Sequence, residues 1–257
     1  MTDRFAVVMA KDETSIAVEE AALLVAAHFH PVDVTAQLAR LDAMAAECGS
    51  NDVNEVCRYL FGELGFTGNQ CEYYAPENSC LDVVVEKRVG IPITLSVVLM
   101  AVARRCGREM SGIGFPGHFL VRDDETGTYI DAFHGGRLLS IEDCRQLFHR
   151  LHGNDVPFSV AYLDPVGPRT IIRRMLNNLI QISIAENDHR SRVIATKLRA
   201  LLPDASVNER ADVARALEAS GDFASAAVVL DAVALDAPAA ESEGFRSIAK
   251  MLRARLN

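Results

Sequence analysis

The chain has 257 residues and 28.0 kDa, 49% of them hydrophobic and 24% charged, with a net charge of −9 and a pI near 5.3. That is enough apolar material for one large domain or two ordinary ones. The acidic balance argues against a general nucleic-acid binder, which needs a basic footprint to displace phosphate counterions. Arg169, Arg173 and Arg174 form the densest basic cluster, read here as helix-end charges on a solvated face.

The N-terminal MTDRFAVVMAKDETS lacks the basic, apolar and small-residue regions of a secretory leader. The longest apolar run, Ile91 to Ala103, falls short of the ~20 residues a membrane span requires. The expectation is a soluble cytoplasmic protein with no membrane partner. Cysteines 48, 57, 71, 80, 106 and 144 contain no CxxC pair and suggest reduced thiols, several of them buried.

Val18 to Ala46 reads as two amphipathic helices broken at His30-Pro31. Ala21, Leu24, Val25 and His28 mark the first face, and Val34, Leu38, Leu41 and Met44 the second. A third helix is predicted from about Asp52 to Leu64, stopped by Gly65. The segment Thr67 to Asn78 is rich in turn formers and reads as a loop. Ser79 is predicted to cap a short helix reaching about Arg88, with Asp82 in its first turn. Pro92 then opens the most apolar helix, which ends before Gly107 and must be enclosed by the rest of the core.

Period-2 segments follow. Ile113 to Phe115 leads into a strand over His118 to Arg122, and Thr128 to Phe133 returns across DDETG, with Leu138-Leu139 as a short third strand. Ser140 starts a helix through about Leu151. Helices followed by a small antiparallel sheet make an α+β domain. Beyond Pro165 and Pro168 the pattern is helical to the end, with Ile172, Met175, Leu176, Leu179 and Ile180 on one face. Gly221, Phe223, Ala226, Leu230 and Pro238 match the second half of a tetratricopeptide (TPR) repeat. Pro203 lies 35 residues before Pro238, near the roughly 34-residue repeat period. The upstream copy carries Asn187-Asp188 where glycine is usual, and a plain helical bundle is the competing description. The expected organisation is residues 1–164 as helices plus core and residues 165–257 as a TPR-like region packed on it.

Thiol acyl chemistry needs a cysteine at a helix N-terminus, a histidine to take its proton and a carboxylate to orient the histidine. His118 and Asp131 supply the last two. A hairpin centred between Asp124 and Glu125 sets them face to face. The helix start Gly90-Ile91-Pro92-Ile93-Thr94-Leu95-Ser96 holds no cysteine. Thr94, Ser96 and Cys80 are the candidate substitutes. No metal is expected: His118 and Asp131 supply two ligands where a catalytic zinc normally takes three, with His134 read as pointing elsewhere and His149 and His152 as a solvated helix end.

Residues 78–107 (NSCLDVVVEKRVGIPITLSVVLMAVARRCG), 114–122 (GFPGHFLVR) and 129–140 (YIDAFHGGRLLS) closely resemble the SirB-type transglutaminase-like family, whose core is also similar to a segment of a eukaryotic F-box protein. The resemblance covers roughly Ala21 to Pro238. It implies a helix-rich transglutaminase- or papain-like core followed by an all-α TPR-like region. It also places Pro92, counting back from Gly107, at the position of the nucleophilic cysteine. Cys80 departs from the aromatic residue usual in the family. The implied function is a non-catalytic protein- or peptide-binding or regulatory module. Its cleft would be lined by Tyr73, Tyr74, Asn78, Pro92, His118 and Asp131, with no cofactor. The alternative is an active hydrolase or acyltransferase with a non-standard nucleophile.

Overall fold

The computed structural model describes residues 2–256. They form two compact units, residues 12–175 and residues 2–11 with 176–256. Helix α1 (Thr2–Met9) belongs to the second unit.

In the first unit, α2 (Val18–Ala26) and α3 (Val34–Cys48) are separated at His30-Pro31, as the sequence predicts. Asp33 caps α3, accepting from Ala36 N–H at 3.0 Å, and Gly49 ends it in the left-handed region at φ +60°. The third predicted helix is α4 (Val53–Cys57), which widens into a π-helical turn over Arg58–Glu63 before Gly65. A two-residue strand β1 (Thr67–Gly68) pairs in parallel with β2 (Val89–Gly90) on the far side of α5 (Leu81–Lys87). Ser79 is not the cap of α5. It ends a 3-10 turn (Pro76–Ser79), so Cys80, with extended φ and ψ, occupies the cap position and the Ser79 hydroxyl is buried without a partner.

Helix α6 (Pro92–Arg105) is buried along most of its length and touches α2, α3, α4 and α5. An enclosed apolar helix of this kind is stabilised by roughly 1.5–3 kcal/mol for each large side chain it removes from water. Its C-terminal turn is anchored by charge. The buried Glu19 accepts from Arg104 and, at 2.8 Å, from Arg105, whose Nε also donates to Asp42 at 2.6 Å.

The sheet runs in the order β3 (Met110–Ile113), β4 (Leu120–Asp123), β5 (Tyr129–Asp131) and β6 (Arg137–Leu139), all neighbours antiparallel. α7 (Ile141–His152) covers one face, where Phe115, Leu120, Tyr129, Leu139, Leu147 and Phe148 pack together. The predicted hairpin register is corrected. Val121 pairs with Ile130 and Arg122 with Tyr129, so the turn centres between Glu125 and Thr126. Two features fix that turn: Gly127 at φ +73°, and the buried Asp123 carboxylate, which accepts from Thr126 and from Arg108. His118 consequently lies on a bend before β4, outside the strand.

Helix α8 (Pro168–Ala185) crosses the division between the units, which falls at residue 175. The second unit continues with α9 (His189–Ala200), α10 (Val207–Ala219), α11 (Phe223–Asp236) and α12 (Ala239–Ala254), each touching the next. The turns before α9 and α11 share one construction. Asn187 (φ +58°) and Gly221 (φ +83°) are left-handed. The next residue, Asp188 or Asp222, caps the helix by accepting from Ser191 or Ser225 N–H, each at 3.0 Å. No helix among the described residues is long and apolar enough to cross a membrane. The chain is α+β, a helix-rich core with a small antiparallel sheet followed by an all-α region.

Candidate functional site

β5 delivers Asp131 to its last position, and the chain then folds back over Ala132-Phe133-His134-Gly135-Gly136. Gly135 and Gly136 both sit at positive φ, +73° and +70°, where a side chain would be strained, and Gly136 N–H donates to the Asp131 carbonyl at 3.0 Å. The same turn lets Asp131 Oδ1 accept from the His134 main-chain N–H at 3.3 Å, an aspartate turn of the usual kind.

The buried Asp131 side chain then bridges two imidazoles. His118 Nε2 lies 2.9 Å from Oδ1 and His134 Nδ1 lies 2.7 Å from Oδ2. Burial by itself would raise the Asp131 carboxyl. The hydrogen bonds and charge of His118, followed by those of His134, outweigh burial and hold the carboxyl below the usual carboxylate range. An ionised carboxylate only accepts, so both facing nitrogens carry the protons. His118 Nδ1 and His134 Nε2 are left as the positions that face away from the carboxylate. Among the described residues His118's ring bonds to Asp131 and to no thiol or hydroxyl.

Three further contacts set the pair in place. The Phe133 ring stands edge-on to His118 at 6.0 Å and to His134 at 5.1 Å, and Tyr73 stands edge-on to Phe133 at 5.9 Å. Gly68 permits this approach, since a Cβ there would lie 2.5 Å from the Phe133 ring and 2.6 Å from its carbonyl oxygen. Arg174 of α8 donates through Nη2 to the main-chain carbonyls of His118 at 2.7 Å and Phe115 at 3.2 Å, with its guanidinium over the Phe119 ring. Arg174 is thus an internal clamp, which corrects its reading as a solvated helix-end charge.

The start of α6 is equally built. Pro92 is its first residue and is buried. Thr94 Oγ1 donates to the Asn78 carbonyl at 2.8 Å and accepts from Ile91 N–H at 3.1 Å. Asn78 is itself committed to the preceding loop: its amide donates to the carbonyls of Glu72 and Tyr73 and accepts from Asn69. The Ser96 hydroxyl is buried without a partner. The Cys80 thiol is pushed up to about 12 by burial, with Asp82 and Glu77 adding to the effect. Tyr73 (36%) and Tyr74 (76%) are both exposed, their rings 5.2 Å apart.

His118 and Asp131 come together, and His134 joins them although its sequence position was set aside. The signal was present: an acid followed three residues later by histidine and then by two glycines describes a tight turn that folds the i+3 side chain back onto the acid. Arg174 had no comparable signal, because its partners are main-chain carbonyls 56 and 59 residues away.

The sequence profile of the transglutaminase-like superfamily matches residues 30–177. The chain is 46% identical over 129 residues to a UPF0162 protein of Xylella fastidiosa, a stretch covering 48% of this chain and 46% of that protein. It is 31% identical over 153 residues to F-box only protein 21 of Mus musculus, covering 56% of this chain and 23% of the other. It is 26% identical over 155 residues to protein SirB1 of Salmonella typhimurium, 56% of each. The aligned region thus spans about half the length, or less, of these curated relatives, and no solved structure matches the chain. The matched residues contain the whole of the α6, β4 and β5 site, and the chain belongs to the transglutaminase-like superfamily, within its SirB-type family.

Proposed function

We propose that the chain is a non-catalytic member of this superfamily that binds a protein or peptide through the cleft around His118 and Asp131. The observation that carries the reading is the state of His118: its ring is held by Asp131, and no thiol or hydroxyl among the described residues reaches it. A nucleophile activated by this base would have to sit within about 3 Å of its open nitrogen. Pro92, which has no such group, begins α6. The Thr94 proton is given to Asn78, and the Cys80 thiol at about 12 is far from thiolate at neutral pH. Tyr73 and Tyr74, with the imidazole of His134 on the rim, offer the mixed aromatic and hydrogen-bonding surface that peptide recognition uses. The net charge of −9 favours a protein or peptide over a nucleic acid.

The C-terminal helices are read as a second, TPR-like surface. The identical capped turns at Asn187-Asp188 and Gly221-Asp222, 34 residues apart, support a helical repeat of that period.

The test is an assay of the purified full chain against peptide amides and glutamine donors, run beside His118→Ala. No turnover above that of the variant is expected. Turnover that disappears with His118→Ala overturns the proposal. Binding is then read by comparing partner capture by the wild type, Tyr74→Ala and His134→Ala, all with intact folds.

A further inference from the structure

We propose that His118, Asp131 and His134 together bind a divalent metal ion of the zinc class. Two imidazole nitrogens and one carboxylate oxygen lie within 4.8 Å of one another, on a bend, a strand end and a tight turn. Mixed nitrogen and oxygen donors suit zinc, cobalt or nickel, whereas magnesium and calcium take oxygen ligands.

The distances are those of a site one small adjustment from closure. Zinc bonds of about 2.0–2.2 Å in tetrahedral array set donor atoms roughly 3.3–3.5 Å apart. The two contacts to Asp131, at 2.9 and 2.7 Å, must open slightly, and the widest pair must close by at most about 1.5 Å on the same scale. The adjustment falls on the right residue. His118 and Asp131 are buried and fixed, the first by Arg174 at its carbonyl and the second by the Gly136 turn, while the His134 side chain is 48% exposed and so the least enclosed of the three.

Charge and protons also balance. Asp131 is a buried carboxylate whose only ion-pair partners among the described residues are these two histidines; no arginine or lysine reaches it. A dication offsets that charge. When the ion takes His118 Nε2 and His134 Nδ1, each ring shifts its proton to its other nitrogen. Those outer nitrogens carry no hydrogen bond within the described residues, so each is open to hold the displaced proton. Three protein ligands leave one coordination position, on the side where His134 meets solvent, for water or a carbonyl oxygen of a bound chain.

The inference rests on the reading of His118 as unengaged by a nucleophile, and metal binding is measured independently of turnover. The chelator-treated full chain is titrated with ZnCl2 alone by calorimetry and with CoCl2 by visible absorption. One ion per chain is expected, with a cobalt spectrum of nitrogen and oxygen ligands. His134→Ala lowers affinity at least about tenfold while leaving the circular dichroism of the metal-free protein unchanged. Asp131→Asn gives the same loss of metal affinity, read at a temperature where the variant keeps the wild-type circular dichroism. The proposal is overturned by absence of binding, by unchanged affinity in His134→Ala, or by a sulfur-to-cobalt charge-transfer band assigning the ion to cysteines. Amide turnover by the metal-free protein that depends on His118 would overturn the non-catalytic reading and leave a measured ion site standing.

Discussion

Arg174 Nη2 lies 2.7 Å from the main-chain carbonyl oxygen of His118, so a cation on α8 holds the backbone from which the site's central imidazole projects. The same group spans the Phe115 carbonyl, and burial pushes its guanidinium below its ordinary value, with Tyr73 opposing part of the effect. Arginine is suited to this because Nη2 donates to both carbonyls while the planar guanidinium lies over the Phe119 ring.

Arg174→Met removes the guanidinium over Phe119 and leaves both carbonyls without their donor. Charge-assisted hydrogen bonds of this kind contribute about 1.5–3 kcal/mol, and a loss in that range is expected by urea denaturation. Arg174→Lys should recover only part of it, since the ammonium lacks the planar group that lies over Phe119. A variant as stable as the wild type would show that the clamp carries no load.

The contrast between Thr94 and Ser96 gives a paired prediction. Both hydroxyls are buried on α6, but Thr94 joins Ile91 N–H to the Asn78 carbonyl while Ser96 has no partner. Removing a bonded hydroxyl strands its partners, whereas removing an unbonded one relieves a desolvated group. Thr94→Val should therefore cost about 1–3 kcal/mol. Ser96→Ala should be neutral or slightly stabilising, measured in the same denaturation series. Equal losses at the two positions would contradict the hydrogen-bond assignment.

The fold was legible where a single physical signal dominated. Pro92 at the first helical position, an uninterrupted apolar face and Gly107 beyond the end defined α6, and the observed helix runs Pro92–Arg105. The sheet was legible as strands but not in register, because the turn is set by Gly127 and by the buried Asp123 bonding to Thr126 and to Arg108, and the latter contact is invisible to local pattern. Ser79 failed as a cap because the preceding Pro76 starts a 3-10 turn that consumes it. The histidine and aspartate were readable as a pair. His134 is legible only through the Asp-x-x-His-Gly-Gly turn, since strand periodicity does not describe how a turn reorients a side chain.

Acid stability follows from Asp131. Its folded-state value lies below the unfolded value of about 3.9. The stabilisation from its two imidazole contacts is therefore fully present above the unfolded value and is lost as pH falls through the folded one. Asp131→Asn should lower stability at pH 7 and flatten its decline between about pH 5 and 2, measured by urea midpoints across that range. Asp123, also held low as Arg108 and Thr126 outweigh its burial, contributes a second acid-labile component that Asp131→Asn leaves in place.

Thiol reactivity should follow burial. Burial pushes Cys57, Cys80 and Cys144 up to about 12, and Cys71 is the exposed cysteine. Alkylation at pH 8 followed by peptide mass mapping should label Cys71 first and these three last. Cys80 reacting ahead of Cys71 would revive it as a nucleophile and count against a non-catalytic reading.

Restoring a sulfur tests the proposed correspondence of Pro92 with the nucleophile directly. Pro92 opens α6, so a cysteine there would sit at a helix N-terminus, and under the proposal it would face the open nitrogen of His118, whose other nitrogen is already held by Asp131. Both the helix dipole and a neighbouring imidazole stabilise a thiolate, with values reported down to about 3.5–7.5 in such settings. Pro92→Cys should then be alkylated at pH 6 faster than Cys71, and the excess rate should vanish in Pro92→Cys/His118→Ala. Losing proline at the first helical position costs little, because the added N–H is one the helix leaves unpaired in any case. A new thiol as inert as Cys80, with His118→Ala making no difference, would mean that burial outweighs the imidazole and that the vacant arm of His118 faces something other than Pro92.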